Sequence, residues 1–101
     1  MRYVYLVRCS NLLKIGYSQK LTPRQQISRY KTYYPSFKIS AFGHSDPKKF
    51  ESYLKWKLGE HLIGGELFHN HAFDEAVKIC ESNCDLLFEQ EIKPFEDVFL
   101  L

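Results

Sequence analysis

Before Asp46 the chain has no acidic residue at all, while Arg2, Arg8, Lys14, Lys20, Arg24, Arg29, Lys31 and Lys38 all fall in that stretch. Twelve acids against six bases follow from Asp46 onward, so the formal net charge of +2 conceals a basic portion and an acidic one. Cysteine is scarce as well. Cys9, Cys80 and Cys84 are an odd number at spacings that suit no disulfide framework, which points to free thiols and a reducing compartment. Nowhere does an apolar run approach the roughly 18 residues of a membrane span. The opening MRYVYLVRCS alternates polar with apolar and lacks a signal-peptide core. These absences exclude a transmembrane helix and a disulfide-stapled secreted fold. They lead to the expectation of a soluble intracellular protein, cytoplasmic, or nuclear or in a viral factory if a eukaryotic virus encodes it. There is no internal repeat, low-complexity segment or linker, and residues 1–101 read as one domain.

What is present is aromatic and apolar: 45% of residues are hydrophobic and 16% aromatic, enough for one compact core. Tyr3, Tyr5, Tyr17, Tyr30, Tyr33 and Tyr34 are interleaved with the basic residues. Cations that take a phosphate backbone, with rings that stack on bases, are what a nucleic-acid partner selects. A solvated basic face accounts for the charge equally well.

Residue-by-residue alternation in RYVYLVR and LLKIGYS, separated by Cys9, Ser10 and Asn11, predicts a β-hairpin over residues 2–17. Regular alternation puts Lys14 and Gly16 on one side and Ile15 and Tyr17 on the other. Thr22, Pro23 and Gln25 make a helix start with a capping box, so Arg24 lies in a first helical turn. FKISAFG reads as a third strand. Ser45 or Asp46 with Pro47 opens a second helix, buried along Phe50, Leu54, Leu58 and Leu62 with Glu51 beside that stripe. Gly64 and Gly65 precede a short apolar ELF, and HAFDEAVKICE reads as a third helix with Phe73, Val77 and Cys80 inward. Cys84 through FEDVFLL fits helix or strand, and its VFLL end is expected in the core.

With VYL at residues 4–6, KIG at 14–16 and Arg24 beyond them, the front of the chain resembles the GIY-YIG nuclease superfamily, VYL standing where GIY does and KIG where YIG does. Glu51 followed by GELF at 65–68 resembles the compact phage-type branch, so the likeness covers residues 2 to about 70. The resemblance implies an α/β (α+β) fold on a small three-stranded antiparallel sheet flanked by helices, a ββαβα core followed here by a helical or extended C-terminal extension. It also implies a metal-dependent endonuclease that hydrolyses DNA phosphodiesters with one divalent ion, Mg²⁺ or Mn²⁺. Carried over by position, Tyr5 is the general base or water-orienting phenol, Arg24 the phosphate clamp and Glu51 the metal ligand. A forked guanidinium and a hard cation held by carboxylate stabilise the charge that develops on the phosphoryl oxygens. Since an ordinary phenol titrates near 10, a base role for Tyr5 requires nearby cationic charge, which Lys14 on the same face supplies.

The family's YIG tyrosine is replaced by Lys14, and Tyr17 follows the glycine, so the ammonium and the phenol exchange places around Gly16. Lys14 and Tyr17 therefore join Tyr5, Arg24 and Glu51 as candidate catalytic residues, with Arg8, Lys20, Arg29, Lys31 and Asn70 as candidate DNA contacts. The replaced tyrosine equally supports a catalytically inactive DNA-binding module of the same fold. An unrelated α/β protein-interaction domain is the third reading. Each residue also has a plain reading: Tyr5 and Tyr17 as half-buried strand aromatics, Lys14 as an exposed strand lysine, Arg24 as a solvated first-turn residue, Glu51 as an i,i+4 partner of Lys55, and Asn70 as a helix cap. Glu66 and Phe68 read as fold-stabilising. Cys80, Cys84, His69 and His71 lack zinc-knuckle spacing, and His44 and His61 have no partner recognisable in sequence. A chain this short has little spare surface for reading bases, so sequence selectivity would call for a homodimer or a preference for DNA structure.

Overall fold

The computed structural model describes residues 1–93. Strands β1 (Tyr3–Cys9) and β2 (Leu12–Ser18) form the hairpin, followed by helix α1 (Pro23–Lys31), β3 (Phe37–Gly43) and helix α2 (Pro47–Lys57). After a 3-10 turn come the short strands β4 (Leu62–Gly64) and β5 (Leu67–His69), a second 3-10 turn, helix α3 (Phe73–Asn83) and β6 (Asp85–Ile92). No helix among the described residues is long and apolar enough to cross a membrane.

The three-stranded sheet expected from the resemblance is not what the chain builds. One six-stranded antiparallel sheet runs in the order β4-β5-β2-β1-β3-β6, with three α-helices against it, an α+β architecture. Both additions have a physical cause. Gly65 at φ +57 makes the turn that folds Leu62–Gly64 back on Leu67–His69, a left-handed conformation that glycine adopts without a Cβ penalty. At the other edge, Phe88 and Ile92 of β6 pack on the sheet while Glu89 meets Lys38 across the strand pair at 2.8 Å. The part of the final segment left open between helix and strand is thus strand through Ile92. VFLL lies outside the described residues.

Strand alternation divides the core between the two faces of the sheet. On one, Tyr3, Tyr5, Val7, Cys9, Phe37, Ile39 and Ala41 are covered by α1 through Tyr30 and Ile27. On the other, Val4, Leu6, Leu13, Ile15 and Phe42 are covered by α2 and α3 through Phe50, Leu54, Leu58, Phe73, Ala76 and Cys80. The capping box at α1 forms as its spacing predicts, with Thr22 and Gln25 bonding each other's backbone N–H, and Asp46 caps α2. Asn70 caps no helix. Its side-chain amide donates to the Ser10 carbonyl at 3.1 Å and its backbone N–H to that of Asn11, so it pins the β1–β2 turn.

Candidate functional site

Tyr5 stands opposite Gly16 in the β1–β2 register, and the far end of its ring lies over that glycine. A Cβ on Gly16 would sit 2.5 Å from both Cζ and the hydroxyl of Tyr5, a separation atoms cannot hold, so the glycine of KIG is the space the phenol occupies. Residue 16 carries this contact at a particular place. Strand β5 pairs with β2 only along Leu12–Lys14, and the last outward hydrogen bond is from the Ile15 N–H to the Glu66 carbonyl at 3.3 Å. Beyond that point no strand among the described residues flanks β2 on the side away from β1, and the phenol is carried across towards this open edge.

Around the phenol the α1 face is aromatic and cationic. The hydroxyls of Tyr5 and Tyr30 lie 3.4 Å apart within hydrogen-bonding reach, with the two rings edge to face. The Lys14 ammonium sits 5.3 Å from the centre of the Tyr30 ring and the Arg29 guanidinium 5.9 Å from it. Burial, then the contact with Tyr30, push the Tyr5 phenol well above the ordinary tyrosine range, while Lys14 and Arg29 pull it back by less. Tyr5 is therefore a neutral hydroxyl at physiological pH, able to orient a partner by hydrogen bonding and a poor base. Beside it, Lys14, Arg29, Tyr30, Tyr33 and Tyr34 line a hollow of about 460 Å³.

Tyr17 and Glu51 belong to the other face. The β1–β2 register is unbroken, so no bulge swings Tyr17 around, and it packs with the α2–α3 core. Glu51 is buried on α2, 8% exposed, with Oε1 3.1 Å from the Lys55 ammonium, the i,i+4 pair that its helix position allows. The two sets are joined by charge. Lys55 also approaches Glu66 at 3.9 Å, and Glu66 approaches Lys14 at 3.6 Å. A chain of ions, Lys14, Glu66, Lys55 and Glu51, thus runs from the phenol's face past the β2 edge to α2. Lys14 is neither a free strand lysine nor buried, its side chain being 24% exposed.

Arg24 is exposed in the first turn of α1 and makes none of the hydrogen bonds or ion pairs found among the described residues. It shares a helical stripe with Ser28 and Lys31, both exposed. The other basic candidates do not form one surface. Arg8 lies over the Phe73 ring at 5.4 Å near the hairpin turn. Lys20 lies past the opposite end of β2, beside Tyr17 and Lys48.

In the sequence none of Tyr30, Lys55 and Glu66 reads as a site residue, Lys55 being only a helix partner of Glu51 and Glu66 fold-stabilising. Helical spacing from Gln26 marks Tyr30 as inward, but nothing in the sequence shows which strand residue it meets. The ions of Lys55 and Glu66 converge through a turn between strands too short to announce themselves. No known family model, curated protein or solved structure matches this chain.

Proposed function

We propose that the chain is a DNA-cleaving domain of the GIY-YIG type, acting at the open edge of β2 with one Mg²⁺ or Mn²⁺ ion. The observation that carries this reading is the Tyr5 phenol laid over Gly16, from which the ion chain leads round the edge to Glu51. Lys14 and Glu51, far apart in sequence and both candidates from the resemblance, are thereby linked through Glu66 and Lys55 at one margin of the sheet.

Mg²⁺ keeps much of its water and takes one or two carboxylates together with substrate phosphate oxygens, so Glu51 suits it as a lone protein ligand once DNA is present. The Lys55 ammonium must then leave Glu51, and Glu66 offers it a second carboxylate. A bound divalent ion supplies charge neutralisation for the phosphoryl oxygens and a more acidic water. The exposed Arg24 clamps a phosphate through two parallel N–H bonds, with nothing among the described residues to displace first. Tyr5, neutral and fixed by Tyr30, orients water by hydrogen bonding, and Lys14 adds positive charge where the phosphate becomes more negative. Tyr17, facing α2, joins Glu51's side of the edge and not Tyr5's.

A second reading, a DNA-binding module without cleavage, is favoured by the burial of Tyr5, which opposes its phenolate, and by Lys14 in the place of a motif tyrosine. Plasmid relaxation separates the two. The nuclease reading predicts nicking that requires Mg²⁺ or Mn²⁺ and is lost in Glu51→Ala with DNA binding retained, and affinity that falls steeply with salt. Salt-sensitive binding without nicking of supercoiled, linear, branched or single-stranded DNA leaves the second reading standing. Absence of any binding contradicts both.

A further inference from the structure

Three of the molecule's four histidines, His61, His69 and His71, gather at one corner together with Glu60 and Glu75. His61 Nε2 lies 3.4 Å from a Glu60 oxygen and 3.6 Å from a Glu75 oxygen, and all three donor atoms fall within 4.8 Å of one another. Ligands held about 2.0–2.2 Å from a tetrahedral zinc ion stand roughly 3.3–3.6 Å apart, so both short separations already match edges of such a tetrahedron. We propose that His61, Glu60 and Glu75 bind one Zn²⁺ ion, tying the turn after α2 to the first turn of α3.

The donor set decides the metal class. Two carboxylates alone would suit Mg²⁺ or Ca²⁺, but an imidazole nitrogen at the centre of the group favours a borderline ion, and the two exposed carboxylates must draw together from within 4.8 Å to complete a tetrahedron. The fourth position falls to water, since the donor group comprises Glu60, His61 and Glu75 alone; His71 stands edge-on to His61 with ring centroids 4.8 Å apart and packs beside the site. His69 stacks on His71 at 5.2 Å and holds its plane. Cysteine takes no part: Cys80 is fully buried in the α3 core. The site is independent of the β2 edge, since Glu51 lies in none of the metal-competent groups among the described residues. Sequence spacing concealed it because Glu75 comes from a different helix and only α3's packing brings it to His61.

The test is titration of the metal-free full-length chain with ZnCl2 in millimolar MgCl2, followed by calorimetry and thermal melting. The expected result is saturable uptake of one zinc ion per chain and a higher melting temperature with zinc. His61→Ala and Glu75→Gln each weaken uptake by at least about tenfold and abolish the thermal shift. Glu51→Ala leaves zinc binding unchanged, so this proposal and the nuclease reading fail separately. If His61→Ala is not folded by circular dichroism, Glu75→Gln, at an exposed helical position, carries the comparison. No saturable uptake by the wild type, or wild-type uptake in Glu75→Gln, overturns the proposal.

Discussion

At Gly16 the missing side chain is filled by the Tyr5 ring from the next strand, which turns one residue into a stability prediction. Gly16→Ala places a methyl 2.5 Å from the phenol, so either the strand pair or the ring must shift, at a cost of about 1–3 kcal/mol in chemical denaturation. In a Tyr5→Leu background that penalty should shrink, because the clashing ring end is gone, and the double-mutant coupling reads this directly. Equal penalties in both backgrounds would show that the glycine serves some other need. Alternation alone placed Gly16 and Tyr5 near each other in the hairpin, and it was also enough to put Lys14 beside them. It could not say that the phenol, rather than a ligand, takes the glycine's space. That depends on the ring's rotamer and on Tyr30, which arrives from α1.

Among the elements, α1 was the most legible, because Thr22, Pro23 and Gln25 act on neighbouring backbone and local chemistry is written locally. Its inner face holds a surprise of opposite kind: Gln26 is 1% exposed and its Oε1 has no hydrogen-bond partner. An orphaned buried amide oxygen costs about 1–3 kcal/mol, so Gln26→Met, of similar volume, should stabilise the fold by roughly 1 kcal/mol. The midpoint of urea unfolding checks it, and a destabilised variant would mean the amide oxygen is satisfied in solution. Strands β4 and β5 were hidden for a different reason. Three residues each are too few for a period-2 pattern, and they exist because Gly65 turns the chain and β2 offers an edge. Strand β6 carried alternation of a kind in Phe88 and Ile92, but its neighbours Leu86 and Leu87 are both exposed and blurred the pattern.

On the scale of the whole molecule, the faces of the sheet separate the candidate site residues into two sets. Tyr5 and Lys14 stand under α1, Tyr17 lies under α2 with Glu51 on that helix, and a regular β1–β2 register keeps the two sets apart except at the open margin of β2. Helix periodicity could place Glu51 beside its buried stripe, yet which face of the sheet α2 covers is a property of the assembled chain and invisible in any local pattern. The acid-free portion likewise distributes its charge over α1, the hairpin turn and the far end of β2 instead of one stripe, and under the proposed reading Arg24, Arg29 and Lys31 with Lys14 are the residues to grip DNA. The central claim is that this margin takes a phosphate and a cation together. Crystals of the chain with a short DNA duplex and MnCl2, measured for anomalous scattering, test it most directly. The account predicts a manganese peak bonded to the Glu51 carboxylate, with a phosphate within reach of Arg24. Density for bound DNA with no metal at Glu51, or with the phosphate held away from the β2 edge, would contradict it.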